Sequence, residues 1–270
     1  MMNIRKLLII NPTTLLFILL FMLSGFKKDI LYLVLIFLTH ELGHIFFSII
    51  FRVKIISIEI FPFGGIIKLD KKINFNILKN LLLSSGGILF QLILELINFV
   101  FFKSEILAFY NFSILTLNLI PICPLDGSKI FESIISYRVS YIHSLVIGKI
   151  VGIISLVIFA YLNFKNNNFN VMIISIFILN LYKEITSISL NKKRFLLERY
   201  LNDFNLKKTI KFKKTNLNYI HLNKYTYFGI ENVQSEKEIL GKMFDKQGYF
   251  WYYLIRLKGF PGKTALKRFS

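Results

Sequence analysis

Three residues within five positions have the types and spacing to do chemistry. His40, Glu41 and His44 stand in the run Thr39-His40-Glu41-Leu42-Gly43-His44. At helical spacing the two histidines lie one turn apart on one face, where two imidazoles can share a metal ion, and Glu41 sits beside it to take a proton from a water. Zinc is the expected metal, because neutral imidazole suits it and catalytic zinc sites keep a fourth position for water. The bland alternative is a pair of packed core histidines with a glutamate on the helix surface. Residues 31–51 are otherwise apolar, however, and ionisable groups in hydrocarbon-like surroundings are costly without a purpose.

A two-histidine site needs a further ligand. The stretch Asn118-Leu119-Ile120-Pro121-Ile122-Cys123-Pro124-Leu125-Asp126-Gly127 breaks a helix twice with proline. Irregular backbone at membrane depth is tolerated only where it is buried in protein or lines a polar cavity. Asp126 follows the break and would complete a site of two histidines and one carboxylate, with water in the fourth place. Alone, Asp126-Gly127 reads as a polar turn ending the span; beside the histidine pair, the ligand reading is preferred.

The elements that must position these residues are membrane spans. The 270 residues are 54% hydrophobic with 29 Phe, and the hydrophobicity falls in six blocks: 7–26, 30–51, 81–102, 106–122, 145–164 and 169–189. Each is near spanning length, and the fourth is the least regular. The expected fold class is an all-α polytopic membrane protein of about six transmembrane helices. The first block does not read as a cleavable leader, since it is long and lacks a clear small-residue cleavage site. One cysteine, Cys123, excludes an intrachain disulfide framework.

Charge orients the spans. Arg5 and Lys6 precede the first; Arg52, Lys54, Lys68, Lys71, Lys72 and Lys79 lie between the second and third; residues 191–270 carry 18 Lys+Arg against 6 Asp+Glu. Both termini are therefore expected in the cytoplasm. The net charge of +19 has no nucleic-acid recognition motif beside it, so attraction to an anionic leaflet of the bilayer is the more economical reading.

Between the second and third spans, residues 56–61 alternate apolar and polar, Pro62-Phe63-Gly64-Gly65 makes a turn, and residues 66–70 follow. The pattern predicts a short β-hairpin at the membrane surface, either an edge for an extended peptide or a plain connecting loop. The third span opens with the small residues Ser84-Ser85-Gly86-Gly87 and carries Gln91 and Glu95 on one face, for which a hydrogen bond within the bundle is the expected role. Beyond the spans, residues 209–212 and 225–230 read as strands and 235–244 as a helix, giving a small mixed α/β region.

These residues resemble the site-2 protease family of intramembrane zinc metalloproteases. His40-Glu41-Leu42-Gly43-His44 matches its HExxH helix, and Asn118, Pro124, Asp126 and Gly127 match its Asn-Pro-Asp-Gly signature. Pro62-Phe63-Gly64-Gly65 is similar to its membrane-entering loop. Within the family the likeness is to the stage IV sporulation protein FB group, on the small core and the run Phe195-Leu196-Leu197-Glu198-Arg199-Tyr200. Ser128 and Lys129 depart from the glycine and arginine usual after Asp-Gly; Gly86-Gly87 and Gln91 depart from a usual Gly-Pro and asparagine.

The resemblance implies a six-span metalloprotease core over residues 1–190. Residues 191–270 would form a basic cytoplasmic region, related to a degenerate cystathionine-β-synthase-type domain. It implies one Zn2+ held by His40, His44 and Asp126, with Glu41 as general base and Asn118 holding substrate backbone or the oxyanion. Pro62, Phe63, Gly64, Gly65 and Pro124 would position the substrate. That substrate would be an inactive, membrane-associated pro-sigma factor, cut near the cytoplasmic side in the membrane around the forespore. The partners implied are inhibitory membrane proteins and the lipid bilayer, with no direct nucleic acid and the oligomeric state left open. The rivals are a metal or proton transporter, which would predict two similar halves that the sequence does not display, a family member with another membrane-bound substrate, and a catalytically dead scaffold.

Overall fold

A computed structural model describes residues 8–10, 27–61, 64–70, 76–165, 171–201, 206, 208–212, 216–229 and 233–244. The described helices are α1 (Lys27–Ile50), α2 (Ile77–Ile97), α3 (Glu105–Leu119), α4 (Asp126–Arg138), α5 (Tyr141–Lys165), α6 (Val171–Leu201) and α7 (Glu236–Phe244). Four described stretches are long and apolar enough to cross a membrane: Asp29–Ile50, Ile77–Phe102, Tyr141–Lys165 and Ile173–Leu201. With that hydrophobicity the chain is an integral membrane protein. Most of their large apolar side chains face outward, as a bilayer requires.

Two sequence expectations change here. The block 106–122 becomes α3, a helix of 15 residues, which at 1.5 Å per residue is about 22 Å, short of a hydrocarbon core of roughly 30 Å. Pro121 ends it: Ile120 is already extended, and the chain turns through Pro121 and a cis Cys123–Pro124 bond into α4. Of the block 7–26, the opening Leu8–Ile10 is a strand, β1, rather than part of a helix; residues 11–26 lie outside the described residues.

The hairpin is present and larger than expected. Strand β2 (Lys54–Phe61) pairs antiparallel with β3 (Gly64–Asp70), with a bulge between Ile55 and Ser57, and β1 adds itself in parallel to the other edge of β2. The sheet order β1-β2-β3 leaves β3 as an outer strand, and β3 packs against α1. Gly64 and Gly65 begin β3, whereas Pro62 and Phe63 lie outside the described residues.

Side-chain caps start the helices where the sequence supplies them. Asn76 accepts hydrogen bonds from the Leu78 and Lys79 amides to open α2, and Ser104 accepts from the Leu107 amide to open α3. A π-helical turn, Asn98–Phe102, prolongs α2, and Lys103 leaves it in the left-handed region at φ 49°. The centre of the bundle is polar where helices cross. Lys149 on α5 reaches Glu132 on α4 at 2.6 Å and Glu184 on α6 at 3.2 Å, so one buried ammonium ties three helices together.

The C-terminal end of helix α6 enters a second core. Phe195, Leu196 and Leu197 pack with Ile220, Phe228, Leu240 and Phe244. Strands β4 (Lys208–Phe212) and β5 (Lys224–Phe228) pair in parallel, β6 (Gln234–Ser235) pairs antiparallel with β5, and α7 closes the unit. Of these, β4, β5 and α7 fall on the segments that alternation and periodicity predict, and β6 is an addition. Arg199 and Glu236 form a buried ion pair at 2.7 Å, with Glu236 also accepting the Thr226 amide.

Candidate metal centre

Helix α1 brings His40 and His44 to one face, and α2 packs along that face because neither helix has bulk at the contact. A Cβ on Gly43 would strike the Gly86 carbonyl, and one on Gly86 would strike the Gly43 carbonyl. A Cβ on Gly87 would overlap the His40 ring. The small-residue run that opens the third span is thus the floor on which the histidines rest.

The broken segment delivers the third group. Asp126 is the first residue of α4, 5% exposed. Gly127 lets this first turn dock on the end of α3, since a Cβ there would hit the Leu119 and Ile120 carbonyls. Asp126 Oδ2 lies 3.1 Å from His40 Nε2 and 2.9 Å from His44 Nε2, and the two Nε2 atoms are 3.2 Å apart.

Hydrogen bonds behind the rings set which nitrogen of each faces this triangle. His44 Nδ1 is 2.8 Å from the Leu83 carbonyl and His40 Nδ1 is 3.0 Å from Gln91 Oε1. Both partners are acceptors, so both Nδ1 atoms donate and both Nε2 atoms of the neutral rings present lone pairs. Two lone pairs and a carboxylate oxygen then converge on one point, an arrangement that repels itself unless a cation sits there. For zinc bonds of about 2.0–2.1 Å in tetrahedral geometry, ligand atoms stand roughly 3.3 Å apart. The observed edges of 2.9–3.2 Å are close to that. The donor set fits zinc, and among the described residues these three form the one His/Cys/Asp/Glu group with ligand atoms so close.

Glu41 follows His40 on α1 and is 8% exposed. Lys129 Nζ holds the other carboxylate oxygen of Asp126, Oδ1, at 3.1 Å, which leaves Oδ2 for the histidines. In the sequence Lys129 stands out only as a departure from the family pattern; its place one turn after Asp126 is the signal for this role. Asn118 lies half-buried in the last turn of α3, and Pro124 is exposed in the turn before Asp126. Gln91 joins the site through His40, and Asn111 and Glu95 stand behind it, Asn111 being a residue that no local pattern singled out.

No protein-family profile matches the chain. Among curated proteins, stage IV sporulation protein FB of Bacillus subtilis is 31% identical over 128 residues, covering 44% of each chain. A zinc metalloprotease of Methanocaldococcus jannaschii is 29% identical over 150 residues, covering 52% of this chain and 43% of that one. Over these stretches the chain is similar to a sporulation protein and to a zinc metalloprotease. The chain spans less than half the length of these curated relatives. A solved site-2 protease from Methanocaldococcus jannaschii superposes with a TM-score of 0.48 at 20% identity, over 77% of this chain and 98% of that one.

Proposed function

We propose that this chain is a zinc-dependent intramembrane endopeptidase that cuts a membrane-associated protein. The observation that carries the reading is the convergence of His40 Nε2, His44 Nε2 and Asp126 Oδ2 on one point beside the buried Glu41. Zinc bound there would polarise the scissile carbonyl and acidify an attacking water. Glu41 accepts the proton of that water and returns it to the leaving amine. Lys129 and the Leu83 carbonyl hold Asp126 and His44 in place. Asn118 holds the substrate backbone or its developing oxyanion.

A substrate helix must open before cleavage, because its carbonyls are engaged in its own hydrogen bonds. Among the described residues, β3 is an outer strand packed on the histidine helix, and its free edge would pair with an extended segment. Gly64, Gly65 and the preceding Pro62 and Phe63 belong to this positioning surface, as does Pro124 on the opposite chain segment. The charge pattern supports a cytoplasmic side for both termini, and with them for the cut. The resemblance to a sporulation protein supports an inactive pro-sigma factor as substrate, in the membrane around the forespore, held in check by inhibitory membrane proteins. In this reading residues 1–190 are the catalytic core and residues 191–270 a cytoplasmic region of cystathionine-β-synthase type.

Co-expression with candidate pro-sigma factors tests this, comparing the natural chain with Glu41→Gln. The natural chain should release a shortened factor, and Glu41→Gln should slow cleavage by at least about 100-fold while keeping its zinc. Undiminished cleavage by Glu41→Gln would remove the general-base role.

A further inference from the structure

Behind His40 runs a chain of buried amides that ends on a carboxylate. Gln91 and Asn111 are 0% and 1% exposed. Asn111 Nδ2 donates to Glu95 Oε2 at 2.8 Å and to the Gln91 main-chain carbonyl at 3.0 Å. Gln91 Nε2 stands 3.5 Å from Asn111 Oδ1, and Gln91 Oε1 stands 3.0 Å from His40 Nδ1. The direction of every bond follows from the far end. A backbone carbonyl only accepts, so Asn111 must turn its NH2 to the Gln91 carbonyl, and with it to Glu95, and its oxygen to the Gln91 side chain. Gln91 must then turn its own NH2 to Asn111 and its oxygen to His40. His40 is left with one choice, a proton on Nδ1 and a lone pair on Nε2.

We propose that Gln91 and Asn111, anchored by Glu95, are positioning residues that fix the tautomer and ring orientation of His40 and thereby set the zinc affinity of the site. The proposal rests on the zinc reading above. The two histidines are held unequally. His44 leans on the Leu83 carbonyl, a backbone group that no side-chain change removes. His40 faces bare Gly87 backbone, so its rotation is governed by the bond to Gln91. Metal-binding histidines depend on such acceptors for ring orientation and basicity, and losing one typically weakens metal binding by about 10–100-fold. Amides buried only to glue α2 to α3 would instead affect stability and leave the metal alone.

The experiment is a zinc competition titration against a chromophoric chelator, on the purified full-length protein in detergent, with thermal unfolding of the metal-free form alongside. Gln91→Met should weaken zinc binding by about 10–100-fold, and Gln91→Glu, which keeps an acceptor for His40, should recover most of that loss. Asn111→Leu should weaken binding less than Gln91→Met. The double variant should bind no more weakly than Gln91→Met alone, because the two residues act in series. Unchanged affinity in Gln91→Met, or losses that simply add in the double variant, overturns the proposal. Should Gln91→Met not fold, Asn111→Leu decides the matter in the same titration, unchanged affinity again counting against it. If the natural chain itself takes up no zinc, the metal reading fails first, an outcome distinct from a failure of this chain of amides.

Discussion

At the scale of single residues, the site is defined as much by what is missing as by its ligands. His40 reaches Gln91 and Asp126 only because position 87 has no side chain. Gly87→Ala places a methyl on a rigid ring rather than on a flexible side chain, so the ring must turn away from Asp126. Zinc affinity should drop by about tenfold or more, while a Gly→Ala change within a helix slightly favours the helix itself. A competition titration of Gly87→Ala checks this, and undiminished affinity would show that His40 has room the contacts deny. The spacing of His40 and His44 was plain from the sequence; the vacancy at position 87 was visible only as one glycine in a small-residue run.

At the scale of elements, α4 is what must not move, since it carries Asp126 at its first residue. Several contacts hold it, among them a hydrogen bond from Asn80 of α2 to Ser133 at 2.9 Å. Gly127 sits on the end of α3, and Glu132, nearly two turns along, meets Lys149 of α5, which also reaches Glu184 of α6. Removing one partner of a largely buried ion pair leaves the other charge uncompensated, and Glu132 and Glu184 together already outnumber the ammonium. Lys149→Met should therefore destabilise the bundle by about 1–3 kcal/mol, read as a lower thermal midpoint of the detergent-solubilised protein. It should also loosen Asp126 and raise the zinc concentration needed for half-saturation. A midpoint equal to that of the natural chain would mean the triad contributes no net stability. The sequence offered no hint of this triad: the three residues are 17 and 35 positions apart along the chain from Glu132 to Lys149 to Glu184, and only helix packing joins them.

At the scale of the whole molecule, one helix joins two bodies. The last turns of α6 give Phe195, Leu196 and Leu197 to the core of the C-terminal unit, and the Tyr141 amide at the head of α5 donates to the Ile220 carbonyl at 3.1 Å. His221, next to that carbonyl, is buried, and burial pulls its imidazole from an ordinary 6.5 down to about 4, with Lys224, His143 and Arg199 adding repulsion. Below about pH 6.5 the unfolded chain binds a proton that the folded unit refuses, so stability is full above that pH and declines toward about pH 4. The decline should amount to about 1–3 kcal/mol and be confined to the C-terminal unit. Amide exchange of β4 and β5 across this window reads it, and His221→Gln should flatten the response. An equal decline in His221→Gln would assign the acid sensitivity to other groups.

The sequence by itself determined the membrane character, the histidine–glutamate helix, the carboxylate after the double-proline break, the hairpin and the strands of the C-terminal unit. These are local properties, set by periodicity, by side-chain chemistry and by where proline forbids a helix. Tertiary structure decided that 106–122 ends early as a 15-residue helix, that Leu8–Ile10 joins a sheet, and that His40, His44 and Asp126 meet within hydrogen-bonding distance. It alone joined Gln91 to Asn111 and Lys149 to its two carboxylates. Such pairings are made between helices far apart in sequence, wherever small residues allow close approach and a buried polar group must find a partner.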